Sequence, residues 1–181
     1  MISLLHVSLL AMLQLSDTAR VFPPMQGQNL EGRTLEMPRD FAGALNVVFI
    51  AFKREQQADV DSWGAALDSL RKRHADLRVY ELPTLGRRYR LIRPMIDGGM
   101  RRGIPDSTVR AATITLYIDK APFKRALGIT TEDRIEVLVV DRRGNIRWQR
   151  SGPMTASLRA DLEAAIGRPR DTPSGSNAPG T

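Results

Sequence analysis

No cysteine occurs anywhere in the 181 residues, and only two histidines do. The first absence excludes disulfides, iron–sulfur clusters, thiolate zinc sites, cysteine nucleophiles and lipid attachment through sulfur. The second leaves His6 and His74 as the whole imidazole inventory, too few for a histidine-rich metal site. Aromatics are sparse at 6%. Ser-His-Asp, paired-carboxylate, P-loop and Rossmann glycine patterns are all missing, so no motif points to the common hydrolase and nucleotide-enzyme chemistries. No catalytic residue, metal or cofactor is therefore assigned.

Basic charge is what the chain has in excess. Twenty-seven Lys and Arg against twenty Asp and Glu give a formal net charge of +7. Such a field attracts phosphate, anionic headgroups and acidic proteins alike, although it also serves as a plain solubilising surface. The 42% hydrophobic and 26% charged fractions are ordinary for a globular chain of one domain.

The ends differ from the middle. Ile2 to Leu15 is almost uniformly apolar, short for a membrane span but suited to an export signal or a loose anchor. Its flanks fit a signal poorly, with no Lys or Arg before Arg20 and Asp17 near the cleavage position that Ala19 would offer. A buried or amphipathic helix is the competing reading. Export to a periplasmic space or membrane association follows from the first reading only. From Gly167 onward, Pro, Gly and Ser without apolar periodicity predict a disordered tail. The expected organisation is thus an apolar segment over 1–20, one folded domain over 21–166 and a tail over 167–181.

Within the domain, strand and helix patterns alternate, the mark of a largely parallel sheet with helical crossovers. A turn-rich stretch from Phe22 to Gly32 leads into LNVVFIAF, a buried central strand. Trp63, Leu67 and Leu70 then repeat at helical spacing. LRVYELPTL reads as a second strand ended by Pro83, and TITLYID as a third in which Ile114, Leu116 and Ile118 alternate with Thr115 and Tyr117. KAPFKRALGI predicts a short helix closed by Gly128. IEVLVVD, the turn Arg142–Asn145 and NIRWQRSG carry a strong hairpin signal. Thr155 is placed to cap a last helix whose apolar face is Leu158, Leu162 and Ile166.

The order of these elements resembles the thioredoxin superfamily. The resemblance implies an α/β thioredoxin-like fold, a central mixed sheet flanked by helices, with TITLYIDKAPFKRALGI as the strand–helix unit that peroxiredoxin-type members insert before the closing hairpin. It places Gln57 and Val60 where the two thiols of a CxxC pair would stand, and Ile135 where a cis-proline would be. Redox catalysis is therefore not expected. FPPMQGQNLEG, VVFIAF followed by REQQ and Trp63, and above all VLVVDRRGNIRWQRSG are similar to the mitochondrial ATP synthase assembly factors of the "ATP ten" family and their bacterial relatives. That likeness implies a non-redox assembly or interaction factor with a protein partner, such as a membrane complex.

Two sets of residues are candidates for contact. Lys53, Arg54, Glu55, Gln56 and Gln57 follow the central strand, where α/β sheets place their ligands, and Lys53 and Arg54 near a helix N-terminus would make an anion-binding corner with free backbone N–H groups. The competing reading is an ordinary polar turn. An enzyme of another kind, using Glu55 supported by Lys53 or Arg54 as acid–base groups, is the functional alternative. The second set is Arg87, Arg88, Arg90, Arg93, Arg101 and Arg102, with Arg110 beyond, opposed only by Asp97 and Asp106. Guanidinium forks bind oxyanions bidentately, whereas the competing reading is a solvated helix face. Tyr89, Leu91, Ile92, Met95 and Ile96 are expected to supply an apolar partner face, Pro94 a kink or boundary, and Gly98–Gly99 a hinge or turn. Nucleic-acid binding is the weaker version, because only Tyr89 interleaves an aromatic with the arginines. Trp63 and Trp148 read as packing residues, and Asp119 and Asp141 as turn residues.

Overall fold

A computed structural model describes residues 20–167; the expectations for the apolar N-terminal run and the C-terminal tail lie outside the described residues. Seven strands form one mixed sheet in the order β2-β1-β5-β4-β3-β6-β7. They are β1 Met25–Asn29, β2 Thr34–Met37, β3 Leu45–Ala51, β4 Leu77–Gly86, β5 Ile114–Ile118, β6 Glu136–Asp141 and β7 Ile146–Ser151. Strands β3, β4 and β5 run parallel at the centre, while β6 and β7 on one side and β1 and β2 on the other are antiparallel. Among the described residues six α-helices connect and cover them: α1 Gln57–Asp61, α2 Gly64–Arg73, α3 Arg93–Gly103, α4 Ser107–Ala112, α5 Lys120–Leu127 and α6 Ala156–Gly167. The strand–helix unit β5–α5 stands before the β6–β7 hairpin, as the sequence predicts.

The sheet is buried on both faces because successive side chains of its central strands point to opposite sides and both sets are apolar. Val48 and Ile50 join Leu82, Leu116, Leu138, Val140, Phe22 and the α5 residues Phe123 and Leu127 in one cluster. Val47 and Phe49 join Val137, Val139, Trp63, Leu67, Leu70, Leu162 and Ile166 in the other, roofed by α1, α2 and α6. Each fully buried side chain of this kind contributes roughly 1.5–3 kcal/mol. Trp63 anchors the second cluster: its ring meets Phe49 and Trp148 edge to face at 5.8 and 6.2 Å, and its Nε1 donates to the Gly152 carbonyl at 3.2 Å.

Local signals end the elements where expected. Gly128 takes the left-handed conformation, φ 66°, that closes α5, and the Thr155 hydroxyl accepts from Leu158 N at 3.2 Å to start α6. Asp119 caps α5 through Ala121 N, and Asp141 Oδ1 accepts from Arg143 N and Asn145 N inside the hairpin turn.

Three expectations are corrected. The stretch Phe22–Gly32 is not all turn: Met25–Asn29 pairs with β2 and β5, and Gly27 permits it because a Cβ there would lie 2.5 Å from Ile114 Cγ2. Pro83 does not end β4, which runs on to Gly86. The missing N–H is tolerated because Pro83 sits at a change of neighbours, the last residue paired with β3 before pairing with β5 starts at Thr84. Gly98 and Gly99 make no hinge; both lie inside α3. Of the segment's apolar residues, Leu91, Ile92 and Met95 are exposed.

Candidate functional site

The chain leaves β3 at Ala51, passes Lys53 in extended conformation and enters a 310 turn at Arg54–Gln56 before α1. Gln56 is the interior residue of this corner, only 5% exposed. Its Oε1 accepts from the backbone N–H of Phe52 at 2.7 Å and of Lys53 at 3.2 Å, and its Nε2 donates to the Glu132 carbonyl at 2.8 Å. Buried amide groups need such partners, since each one left unmade costs about 1–3 kcal/mol. One side chain thus fastens the corner to the segment before β6. It also occupies backbone donors expected to be free for an anion.

Around that anchor Lys53, Arg54, Glu55 and Gln57 are exposed. Lys53 Nζ donates to Asp133 Oδ1 at 2.7 Å, and that hydrogen bond holds the ammonium above its ordinary pKa. Glu132 receives Lys120 and Lys124, and the Lys120 hydrogen bond, against a smaller opposing effect of burial, keeps its carboxyl below the usual range. Gln57, in one expected thiol position, donates to Asp61 Oδ1 at 3.0 Å. Val60, in the other, is buried against the Trp63 cluster. Beneath them lies the half-buried Glu81 of β4, whose carboxyl is raised by burial and further by the Asp61 charge. A cis-proline does not precede β6; among the described residues the cis bond is Met37–Pro38.

The arginines follow β4. Arg87, Arg88 and Arg90 lie in a 310 turn, Arg87–Ile92, and Arg93, Arg101 and Arg102 on α3. Arg93 turns inward to Asp97 at 2.9 Å, while Arg87, Arg88, Arg90, Arg101 and Arg102 are exposed. The two sets meet the same edge of the sheet, where the parallel strands end: Lys53 after β3, Arg87 after β4, Lys120 after β5. A groove of about 460 Å³ opens there between Gly86–Tyr89 and Ile118–Ala121. Lys120 stands between the sets, its ammonium 5.7 Å from the centre of the Phe52 ring and bonded to Glu132.

Sequence reading missed Lys120, Lys124, Glu132, Asp133 and Glu81. The i,i+4 spacing of Lys120 and Lys124 marks a cationic helix face, but nothing local ties it to Glu132. Among the described residues no cluster of three metal-ligating side chains occurs, and no helix is long and apolar enough to cross a membrane.

Residues 13–167 match the family described as ATP10 protein. No curated protein matches the chain by sequence. Among solved structures, a thiol:disulfide interchange protein from Bacteroides sp. is similar over 85% of this chain and 93% of its own, with 15% identity and a TM-score of 0.55. A putative thiol:disulfide interchange protein DsbE from Chlorobium tepidum covers 83% and 95%, with 16% identity and a TM-score of 0.52. BsSco, a member of the Sco family of cytochrome c oxidase assembly proteins, covers 82% and 94%, with 12% identity and a TM-score of 0.53. At these identities the likeness is one of fold, and the fold is thioredoxin-like.

Proposed function

The chain belongs to the ATP10 protein family, and from that premise we propose that it is a non-redox assembly factor that holds a protein subunit of a membrane complex, the ATP synthase, during its assembly. One observation supports contact over thiol exchange: the corner after β3 carries no cysteine, with Gln57 and Val60 at the positions the resemblance gives to the thiols, and Gln56 fastens the loop that carries Lys53, Arg54, Glu55 and Gln57. A loop already ordered loses little conformational freedom when a partner arrives. Its exposed cations and amides suit a polar or acidic segment laid across the ends of the parallel strands.

The reading is tested in cells lacking the gene. Assembled ATP synthase, measured on native gels, falls and is restored by the wild-type chain but not by Lys53→Glu/Arg54→Glu, whose thermal unfolding stays close to wild type. Unchanged ATP synthase in the deletion strain ends the assembly reading. Full restoration by the charge-reversed chain removes the corner from it.

A further inference from the structure

We propose that the 310 turn Arg87–Ile92 together with α3 is a docking surface for anionic phospholipid bilayers. This inference is independent of the corner at Lys53–Gln57.

The inward side of α3 is fixed to the sheet by polar contacts. Arg93 Nε meets Asp97 Oδ2 at 2.9 Å, Tyr117 donates to Asp97 Oδ1 at 2.8 Å, and the Arg93 guanidinium lies 5.6 Å from the centre of the Tyr117 ring while also reaching Gln28. With that side anchored, Met95 projects from the first turn of α3 at 68% exposure, and Leu91 and Ile92 at the end of the preceding 310 turn at 92% and 43%. On α3, Arg102 lies on the same side as Met95, seven residues on. The Arg102 guanidinium passes over Gly98, and Gly99 leaves open space. In the 310 turn Arg88 and Leu91, three residues apart, share a side.

The cations around this ridge are uncompensated. Of the segment's seven arginines only Arg93 and Arg110 form ion pairs among the described residues, with Asp97 and Glu31. The segment's own two acids are already in use, Asp97 as above and Asp106 as the cap of α4, accepting from Thr108 N and Val109 N, and Asp119, which lines the groove with Arg87 and Arg88, caps α5. Arg87, Arg88, Arg90, Arg101 and Arg102 are left facing solvent beside protruding apolar side chains.

A bilayer fits this pattern better than a protein or a nucleic acid. Apolar side chains that stand proud, flanked by guanidinium groups, insert below anionic headgroups while the cations pair with phosphate. A stable protein interface needs about 800 Å² per side with a packed apolar centre, and this ridge is narrow with arginines at both ends. Stacking on bases would require more aromatics than Tyr89.

The test is co-flotation of the purified full chain with phosphatidylcholine vesicles, with and without phosphatidylglycerol. The wild type floats with the anionic vesicles and loses them as salt rises. Arg88→Gln/Arg101→Gln/Arg102→Gln weakens that binding on the order of a hundredfold, and Leu91→Glu/Met95→Glu by at least about tenfold, with unchanged circular dichroism melts. Leu91→Ser/Met95→Ser replaces the second variant if the glutamates disturb folding. Any binding through Ile2–Leu15 is common to all the chains and insensitive to these substitutions. Flotation that neither set of substitutions reduces overturns the proposal. Failure to bind anionic vesicles, with substitution-sensitive binding to a synthetic acidic amphipathic peptide, assigns the ridge to a protein and overturns it equally.

Discussion

Gln56 donates from its side-chain amide to the backbone carbonyl of Glu132 at 2.8 Å, joining two loops 76 residues apart in the chain. The same side chain accepts from the Phe52 and Lys53 amides, so the corner after β3 and the lead into β6 move as one piece. Gln56→Leu leaves two donors and one acceptor without partners and should cost roughly 2–3 kcal/mol. Gln56→Glu keeps the acceptor but sets a buried negative charge against the Glu132 carbonyl, and should also destabilise. Urea denaturation measures both; an unchanged midpoint for Gln56→Leu would show that the corner is held by other contacts.

The two tryptophans differ in what their N–H groups do. Trp63 Nε1 donates to Gly152, whereas the buried Trp148 Nε1 has no partner among the described residues. Trp63→Phe should therefore cost about 1 kcal/mol more than Trp148→Phe, because only the first strands a carbonyl. Equal losses would mean that ring packing alone sets both costs.

Two glycines should respond in opposite directions. Gly144 has φ +88°, and a Cβ there would lie 2.5 Å from Pro38 Cγ. Gly144→Ala is thus expected to destabilise by about 1–3 kcal/mol. Gly99 is helical with nothing within 4 Å of a new Cβ, so Gly99→Ala should stabilise by roughly 0.5–1 kcal/mol. A loss of stability at Gly99 would argue that the glycine pair serves as a hinge after all.

Glu81 makes stability depend on pH. Burial, aided by Asp61, raises its carboxyl above the ordinary glutamate range, so the folded state holds the proton more tightly than the unfolded chain. Its penalty grows as pH rises from the unfolded value through the folded one and is complete above it. Glu81→Gln should stabilise the protein near neutrality, with the gain disappearing below about pH 4.5. Glu132 has the opposite sign: its lowered carboxyl favours folding above its unfolded value and loses that contribution as pH falls through the folded one. Stability of Glu81→Gln, measured by urea titration from acid to neutral pH, that tracks the wild type throughout would count against the buried position of this carboxyl.

The legible parts of the fold were those written in local pattern. Val47–Ile50 and Val137–Val140 are apolar on both sides, and a strand buried on both faces has to be. The Asp141–Asn145 turn and the Gly128 and Thr155 caps depend on a few consecutive residues. The strand Met25–Asn29 was hidden because its side chains are mostly polar and its place is decided by Gly27 lying against Ile114 and Leu116. Pro83 misled because its tolerance depends on where two other strands end and begin. At the candidate site the corner's position was readable, but the partners Glu132, Asp133 and Lys120 were not, since no spacing connects them to Lys53 or Gln56.

The sequence alone was enough to exclude thiol chemistry, to suggest a thioredoxin-like order of elements, and to gather arginine between Arg87 and Arg110. Only the tertiary structure decided which of those charges are spent and which are free. Asp97 pairs with Arg93 within one helical turn, but it anchors α3 to the sheet because β5 brings Tyr117 beside it, while Leu91 and Met95 stay exposed. Exposure and pairing are properties of neighbours in space, and those neighbours come from strands far apart along the chain.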